Sequence, residues 1–184
     1  GSTAGYILAR AGLEVLIVER GNFSGAKNMT GGRIYAHSLE KILPDFARSA
    51  PVERKVTKER ITFMTPESAV TLDFHSERLG QQSKDSYVIL RSSFDRWLAD
   101  QAEGAGTMVV AGILVDELLV REGKVVGIKA GEEEMEADVV ILADGVNSLL
   151  AQQIGLRKEI DPHHVAVGVK EVIELPRSVM EDRF

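Results

Sequence analysis

The sequence predicts an α/β fold organised around a parallel sheet. Two unbroken apolar runs, residues 15–18 and 139–142, have the composition of strands that are buried on both faces. An acidic residue follows each run, Glu19 after the first and Asp144 after the second. Because both runs are typical of strands in a doubly wound fold, we expect them to share one sheet.

A helix precedes the first run. Ala4, Ile7, Leu8 and Ala11 recur at helical spacing, and Gly12 stands where a chain that leaves a helix turns left-handed. The strand over residues 15–18 then returns along the helix. This order predicts a helix–strand unit at the start of the chain.

Glu19 stands at the carboxyl end of that strand, the edge at which open α/β sheets bind ligands. An acid in this position commonly accepts hydrogen bonds from an adenosine ribose. Gly1 lies eighteen positions earlier, where the third glycine of G-x-G-x-x-G would stand, so the spacing suits a dinucleotide. A first strand and two further glycines are then expected ahead of Gly1, as in a piece of a longer protein. Any doubly wound protein can contain such a unit, so other ligands stay open at this point.

Residues 21–35, GNFSGAKNMTGGRIY, predict a loop because they combine four glycines with small polar side chains. Gly31 and Gly32 allow the backbone to approach a ligand closely. Arg33 follows with a guanidinium that suits a phosphate or the polar edge of a cofactor ring. A surface loop without a ligand is the alternative on composition alone.

The middle of the chain alternates short strands with helices. A helix whose apolar face includes Phe94 and Leu98 follows a strand, with Ser92 or Ser93 as its N-cap. The other predicted elements are a helix at 38–43, a hairpin of strands 61–64 and 69–74, strands at 87–90 and 107–110, and an antiparallel meander at 112–120, 124–130 and 133–136.

The second apolar run delivers Asp144, Gly145 and Ser148 to the start of a helix that ends near Gln153. A second acid at a strand end can bind the hydroxyl groups in the middle of a long cofactor, which fits FAD better than NAD. An Asp that merely caps the following helix is the alternative.

Composition excludes several classes of function. Lys and Arg total 22 against 28 Asp and Glu, a net charge of -6, so nucleic acid is not expected as a partner. The absence of cysteine excludes disulfides, thiol nucleophiles and zinc–cysteine sites. No metal site is predicted, since His163 and His164 would point in opposite directions on a strand. No run of 18 apolar residues predicts a membrane-spanning helix, and the cytoplasm is the expected location.

Taken in order, these segments resemble the FAD-binding half of the glutathione-reductase-type flavoproteins, in the branch of the geranylgeranyl reductases and the electron-transfer-flavoprotein:quinone oxidoreductases. The resemblance extends to the Fix-type bacterial members, through the stretches ERGNFSGAKNMTGGRIYAHSLE, APVERKVT, VILRSSFDRWLADQAE, VVILADGVNSLLAQQIG and VAVGVKEVIELP. The resemblance implies a Rossmann-like FAD-binding domain with a β-meander and part of an inserted antiparallel substrate domain. It spans nearly all of the chain.

The resemblance also implies which residues bind FAD. Glu19 would bind the adenosine ribose, residues 27–33 would line the flavin, Arg91 would approach the phosphates or the ribityl chain, and Asp144 would belong to the second FAD motif. The full set is Gly1, Glu19, Arg20, Lys27, Asn28, Thr30, Gly31, Gly32, Arg33, Arg91, Asp144, Gly145 and Ser148. The first two fingerprint glycines and a later glycine–aspartate motif of the family have no counterpart in this sequence. No catalytic residue is predicted.

By resemblance, the protein is an FAD-dependent oxidoreductase that passes electrons from a reduced electron transfer flavoprotein to a quinone or a ferredoxin-like protein. An FAD-dependent reductase or hydroxylase of a prenyl or aromatic substrate is the first alternative, and a flavin-free interaction domain is the second. Peripheral contact with the inner membrane stays open.

The predicted FAD-binding domain comprises residues 1–33 and 87–155. Residues 34–86 and 156–184 are assigned to the partial substrate domain, with a second sheet beginning at residues 165–173. Since most of the backbone that meets the pyrophosphate is expected upstream, we expect residues 1–184 alone to bind FAD poorly and to be inactive.

Overall fold

A computed structural model describes residues 1–76, 85–169, 171 and 173–183. The helices are α1 (Ser2–Arg10), α2 (Ala36–Leu39), α3 (Arg91–Gly104), α4 (Leu149–Gln153) and α5 (Arg177–Arg183). The strands are β1 (Leu16–Glu19), β2 (Gly31–Tyr35), β3 (Val52–Lys55), β4 (Glu59–Met64), β5 (Ala69–Phe74), β6 (Ser86–Leu90), β7 (Met108–Ala111), β8 (Glu117–Arg121), β9 (Lys124–Ala130) and β10 (Glu133–Glu136). Phe46–Arg48 and Pro162–His164 form short 3-10 helices.

The helix–strand unit predicted at the start of the chain is confirmed. Strand β1 pairs in parallel with β7, with Leu16 opposite Met108 and Glu19 opposite Ala111. Helix α1 packs against both β1 and α3. Gly12 has a φ of 85° and turns the chain from the helix towards the strand, as predicted.

Gly5 brings helix α1 unusually close to β1. A Cβ atom at this position would lie 2.6 Å from Ile17 Cδ1 and 3.3 Å from both Thr107 Oγ1 and Thr107 Cγ2. A Cβ atom here would force the end of the Ile17 side chain to shift, so glycine allows this close helix–strand spacing without repacking. The sequence analysis missed this glycine because it stands between the apolar positions that define the helix.

The second layer is an antiparallel sheet in the order β2–β6–β3 that packs on α3. Its core comprises Ala36, Leu39, Phe46, Ile89 and Phe94. The Phe46 ring meets Phe94 edge-on at 6.2 Å, a favourable geometry for two aromatic rings. This core fixes the sheet against the first turns of α3.

Two antiparallel units predicted from the sequence are confirmed. Strands β4 and β5 form the hairpin, and strands β8, β9 and β10 form the meander. The meander begins at Glu117 rather than at residue 112, where Gly112, with a φ of 81°, turns the chain after β7. Glu122 and Gly123 both have positive φ and make the tight turn between β8 and β9.

The prediction that residues 139–142 form a strand in the sheet of β1 is wrong for this structure. These residues carry no strand hydrogen bonding, and β1 pairs with β7 in a sheet of two strands. A parallel strand is held only by a hydrogen-bonded neighbour, and the described residues provide none here. The second predicted sheet fails for the same reason, since residues 165–169, 171 and 173 are also outside strands.

Three local predictions are corrected. The glycine-rich loop ends at Thr30, because residues 31–35 pair with β6 as strand β2. The helix predicted at 38–43 is α2, which begins at Ala36 and ends at Leu39. Helix α3 has Leu90 as its N-cap and no side-chain cap, because β6 runs directly into it, so neither Ser92 nor Ser93 has the predicted role.

The boundaries of the two predicted domains do not coincide with the ends of helices or strands. The boundary after residue 33 falls within β2, and the boundary after residue 86 falls within β6. Residues 76–86 (SERLGQQSKDS) are polar, a composition that predicts a loop, and of these residues 77–84 lie outside the described residues. The division into domains stays a prediction.

Candidate functional site

Glu19 is fixed at the carboxyl edge of the parallel sheet. Its Oε1 accepts a hydrogen bond of 2.5 Å from the Gly21 N–H, and its backbone carbonyl accepts one of 3.1 Å from the Ile113 N–H. The Gly112 N–H donates to the Gly21 carbonyl at 2.8 Å. The chain segments that leave β1 and β7 are therefore tied together, and a half-buried carboxylate stands between them.

The amino terminus of α1 lies at the same edge, because a helix that precedes a parallel strand runs antiparallel to it. Gly1 is the N-cap residue, is exposed and makes no side-chain cap. The first N–H groups of a helix carry partial positive charge and bind anions such as phosphates. A pyrophosphate at this helix end would be within reach of a ribose held by Glu19.

The second acid arrives beside this helix end. A Cβ atom at Gly1 would lie 3.8 Å from Ala143 Cβ, so the residue that precedes Asp144 contacts the start of α1. Asp144 Oδ2 accepts a hydrogen bond of 3.2 Å from the Leu150 N–H in the first turn of α4. The helix-capping contact left open by the sequence is therefore present, and the exposed carboxylate belongs to the same turn as Gly145, whose φ is 80°.

Ser148 supports this turn from within. Its Oγ donates to the Gly145 carbonyl at 2.6 Å and accepts from Arg157 Nη1 at 2.7 Å. Its φ of 45° is left-handed, which a non-glycine residue adopts at a cost that such hydrogen bonds offset. In this structure Ser148 shapes the turn that presents Asp144, and cofactor contact by Ser148 stays a prediction.

The glycine-rich loop lies against the start of α3. Asn28 donates a short hydrogen bond to Asp95 Oδ2, and Arg91 Nε donates to both oxygens of the same carboxylate, at 2.8 and 3.0 Å. The hydrogen bond to Asp95 holds the pKa of Arg91 above its ordinary value. Sequence reasoning missed Asp95, although an acid four residues after an arginine on a helix is a recognisable pair.

Arg33 has contacts that the sequence did not predict. Its Nε donates to Ser86 Oγ at 2.8 Å, its Nη1 pairs with Glu59, and its guanidinium lies 4.6 Å from the centre of the Tyr35 ring. The side chain is 24% exposed and spans from β2 to the first residue of β4. Arg33 thus joins the hairpin to the sheet, and a contact with a flavin would compete with these bonds.

The glycines before Arg33 differ from each other. A Cβ atom at Gly31 would lie 2.7 Å from the Ile89 carbonyl oxygen, so this position allows two strands to pair closely. Gly32 has open space around it within 4 Å. Lys27, Asn28 and Thr30 are exposed in the preceding loop, as is Arg20 after β1.

These residues fit a dinucleotide. A half-buried carboxylate at a strand end, an uncapped helix amino terminus and an exposed guanidinium at Arg91 are the groups that ribose hydroxyls and phosphates require. Within the described ranges, no cluster of three or more His, Asp or Glu residues could hold a metal ion. In the same ranges, each helix is too short or too polar to cross a bilayer.

Comparison with known proteins agrees with this chemistry. Residues 1–181 match the family model described as an FAD binding domain. Protein FixC of Escherichia coli O157:H7 is 58% identical over 184 residues, which cover 100% of this chain and 43% of that protein. The probable electron transfer flavoprotein-quinone oxidoreductase YdiS of Escherichia coli (strain K12) is 58% identical over 185 residues, with the same coverage.

A solved structure extends the comparison to the fold. The geranylgeranyl bacteriochlorophyll reductase-like protein of Thermoplasma acidophilum has a TM-score of 0.72 and 29% identity, over 85% of this chain and 39% of that one. The chain spans less than half the length of the curated relatives named above. The predicted resemblance, the Rossmann-like fold class and FAD as the cofactor are confirmed. The chain belongs to the FAD binding domain family.

Proposed function

We propose that the protein containing this chain is an FAD-dependent oxidoreductase that takes electrons from a reduced electron transfer flavoprotein and passes them to a quinone. The observation that supports this proposal is the 58% identity, over the whole chain, to a relative named as a probable electron transfer flavoprotein-quinone oxidoreductase. The alternative electron acceptor is a ferredoxin-like protein in place of the quinone.

The residues of this chain act by binding and orientation. FAD, when bound, supplies the electron-transfer chemistry, and the protein sets its position and surroundings. Glu19 holds the adenosine ribose, and Gly1 and the first amides of α1 face the pyrophosphate. Arg91 offers a cationic contact to the cofactor. Asp144 accepts from a hydroxyl of the ribityl chain. Arg20, Lys27, Asn28, Thr30, Gly31, Gly32, Arg33, Gly145 and Ser148 complete the proposed lining.

A quinone acceptor places the protein beside a membrane. Quinones dissolve in the bilayer, so the proposal includes peripheral contact with the inner membrane from the cytoplasm. In the reaction the reduced donor loses an electron pair. The quinone takes up this electron pair and protons from water, and becomes a quinol. No residue of this chain is assigned a proton-transfer step.

Anaerobic spectroscopy of the full-length protein tests the proposal. We expect the purified protein to carry flavin, its flavin absorbance to bleach on addition of reduced electron transfer flavoprotein, and the absorbance to return when a water-soluble quinone is added. Bound flavin that stays oxidised with this donor would contradict the donor. Flavin that bleaches but does not recover with quinone, and does recover with an oxidised ferredoxin, would replace the acceptor.

A prenyl reductase is the second candidate, because a geranylgeranyl reductase-like protein shares this fold at 29% identity. That reaction would move the electron pair from the reduced flavin to a carbon–carbon double bond of an isoprenoid. Chemically reduced full-length protein should then be reoxidised by a geranylgeranyl substrate, with formation of a saturated product detected by mass spectrometry. Reoxidation by quinone alone, with the isoprenoid unchanged, would exclude it.

A further inference from the structure

Asp95 lies at the centre of the junction between the glycine-rich loop and α3. Its side chain is 17% exposed. It accepts hydrogen bonds from Asn28 of the loop and from Arg91 at the start of α3. Asn28 and Arg91 both belong to the proposed FAD site, whereas Asp95 is not among the proposed FAD-binding residues.

The loop backbone is fitted to the same place. Gly25 has a φ of 95°, and a Cβ atom there would lie 2.9 Å from Asp95 Cβ and 3.1 Å from the carbonyl oxygens of Arg91 and Ser92. At the other end of the loop, the Arg91 N–H donates to the Thr30 carbonyl at 3.1 Å. The loop therefore lies close against the first turn of α3 at Gly25 and is hydrogen-bonded to it at Thr30.

The contacts of Arg91 leave its outer end available. Asp95 engages Nε, and in the described part of the chain no acceptor contacts the two terminal nitrogens of the guanidinium. The Arg91 side chain is 47% exposed, so these nitrogens can reach a ligand. The Asp95 carboxylate thus orients the Arg91 guanidinium and the Asn28 amide, which would otherwise rotate freely. A group that is already oriented loses less entropy when it binds a ligand.

We propose that Asp95 is a positioning residue of the FAD site, which locks Asn28 and Arg91 into one rigid unit facing the phosphates of the cofactor. This inference rests on the FAD site proposed above. Asp95 itself does not contact the cofactor. Its removal leaves the binding groups in place but frees them to move.

Two variants of the full-length protein test the proposal. Asp95→Ala removes both acceptors, and Asp95→Asn keeps the shape and one acceptor. The matched control is Asp100→Ala, an exposed acid on the same helix. We expect FAD affinity to fall about ten-fold in Asp95→Ala, less in Asp95→Asn and not at all in the control.

A second readout does not depend on the cofactor. Trypsin cleavage after Lys27 in the apoprotein reports how firmly the loop is held. Cleavage should accelerate in Asp95→Ala, while the denaturant midpoint of global unfolding changes little. Asn28→Ala should accelerate cleavage in the wild-type background and add little in the Asp95→Ala background, since both changes remove the same bond.

The outcomes separate this inference from the proposed function. Wild-type cleavage and wild-type FAD affinity in both Asp95 variants would overturn the role of Asp95, with FAD binding intact. An affinity loss that merely follows global destabilisation, with no change in local cleavage, would also overturn it. A wild-type protein that fails to bind FAD at all would overturn both.

Discussion

Gly1 at the start of α1 faces Ala143 at the end of the segment that carries Asp144, and a Cβ atom on Gly1 would lie 3.8 Å from Ala143 Cβ. This separation is an ordinary van der Waals contact, so the fold itself accepts a methyl group at position 1. The two residues are far apart in sequence, and their proximity brings Asp144, which follows Ala143, to the edge where α1 begins and β1 ends at Glu19. The contact joins the two halves of the proposed FAD site.

Gly1→Ala should separate folding from cofactor binding. The added methyl fits beside Ala143 but occupies the space through which a pyrophosphate would approach the helix amides. We expect the unfolding free energy of the apoprotein to change by less than about 0.5 kcal/mol and FAD affinity to fall about ten-fold or more. Denaturant melts and FAD titration of the full-length apoprotein measure both. Gly104→Ala is the control, since a Cβ atom there meets nothing within 4 Å.

Glu19→Gln isolates the charge at the end of β1. The amide oxygen of glutamine can still accept from the Gly21 N–H, so the local turn is retained. A hydrogen bond to a charged group contributes about 1.5 to 3 kcal/mol net, and a neutral one about half of that. FAD affinity should therefore fall about three- to ten-fold. Equal FAD affinities for wild type and variant in a fluorescence titration would remove Glu19 from the site.

Asp144 combines a helix cap with a proposed cofactor contact, and two substitutions distinguish them. Asparagine is as good a capping residue as aspartate, so Asp144→Asn should preserve the hydrogen bond to the Leu150 N–H and the stability of α4. Asp144→Ala should cost about 1 kcal/mol. If the carboxylate also binds the ribityl chain, both variants should lose FAD affinity. A loss of stability in the alanine variant alone, with FAD affinity unchanged in both, would leave only the cap.

The sequence predicted local elements better than long-range pairing. Apolar periodicity and glycine positions located α1, β1, the β4–β5 hairpin and the meander, because these depend on neighbouring residues. Residues 139–142 read as a buried strand, yet a strand also needs a neighbour, which composition cannot supply.

The site residues were likewise predicted where the signal is local and missed where it depends on long-range contacts. Strand-end acids such as Glu19 were found because their position relative to an apolar run carries the signal. The Asn28–Asp95 and Arg33–Glu59 contacts were missed because each joins segments that are distant in sequence. In the sequence, Arg33 has the pattern of an unpaired cation in a glycine-rich loop. In the structure, β2 pairs with β6 and Arg33 contacts Glu59 and Ser86.

Arg33→Lys should destabilise the protein although the charge is kept. Lysine cannot donate to Ser86 and Glu59 from one planar group while it lies on the Tyr35 ring. We expect a loss of about 1 kcal/mol in the unfolding free energy, since the pair is partly exposed. Arg48→Lys, at a side chain that is 85% exposed, is the control.

The same variant tests whether Arg33 has a cofactor role. In a Glu59→Gln background, Arg33→Lys should cost less, because the shared ion pair is already weakened. FAD affinity should change only as far as global stability does if Arg33 acts between β2 and β4. A larger loss of affinity would favour the flavin contact that the family resemblance implies.

Tyr87 should make stability fall at alkaline pH. Its hydroxyl donates to Asp85 Oδ2 at 3.3 Å, and Lys55 Nζ lies 2.9 Å from the same oxygen. Burial, followed by the Asp85 charge, raises the pKa of Tyr87 above its ordinary value. As the pH rises past about 10, the unfolded state loses this proton before the folded state does, so the stability gained from the protonated form declines until the folded pKa is passed.

Tyr87→Phe removes this proton and should therefore flatten the alkaline profile. We expect the difference in denaturant midpoint between wild type and Tyr87→Phe to shrink as the pH rises past about 10. Tyr35→Phe is the control, because its ring is exposed and stays in place under Arg33. Parallel profiles for wild type and Tyr87→Phe would show that the Tyr87 hydroxyl is not held in its protonated form by Asp85 and burial.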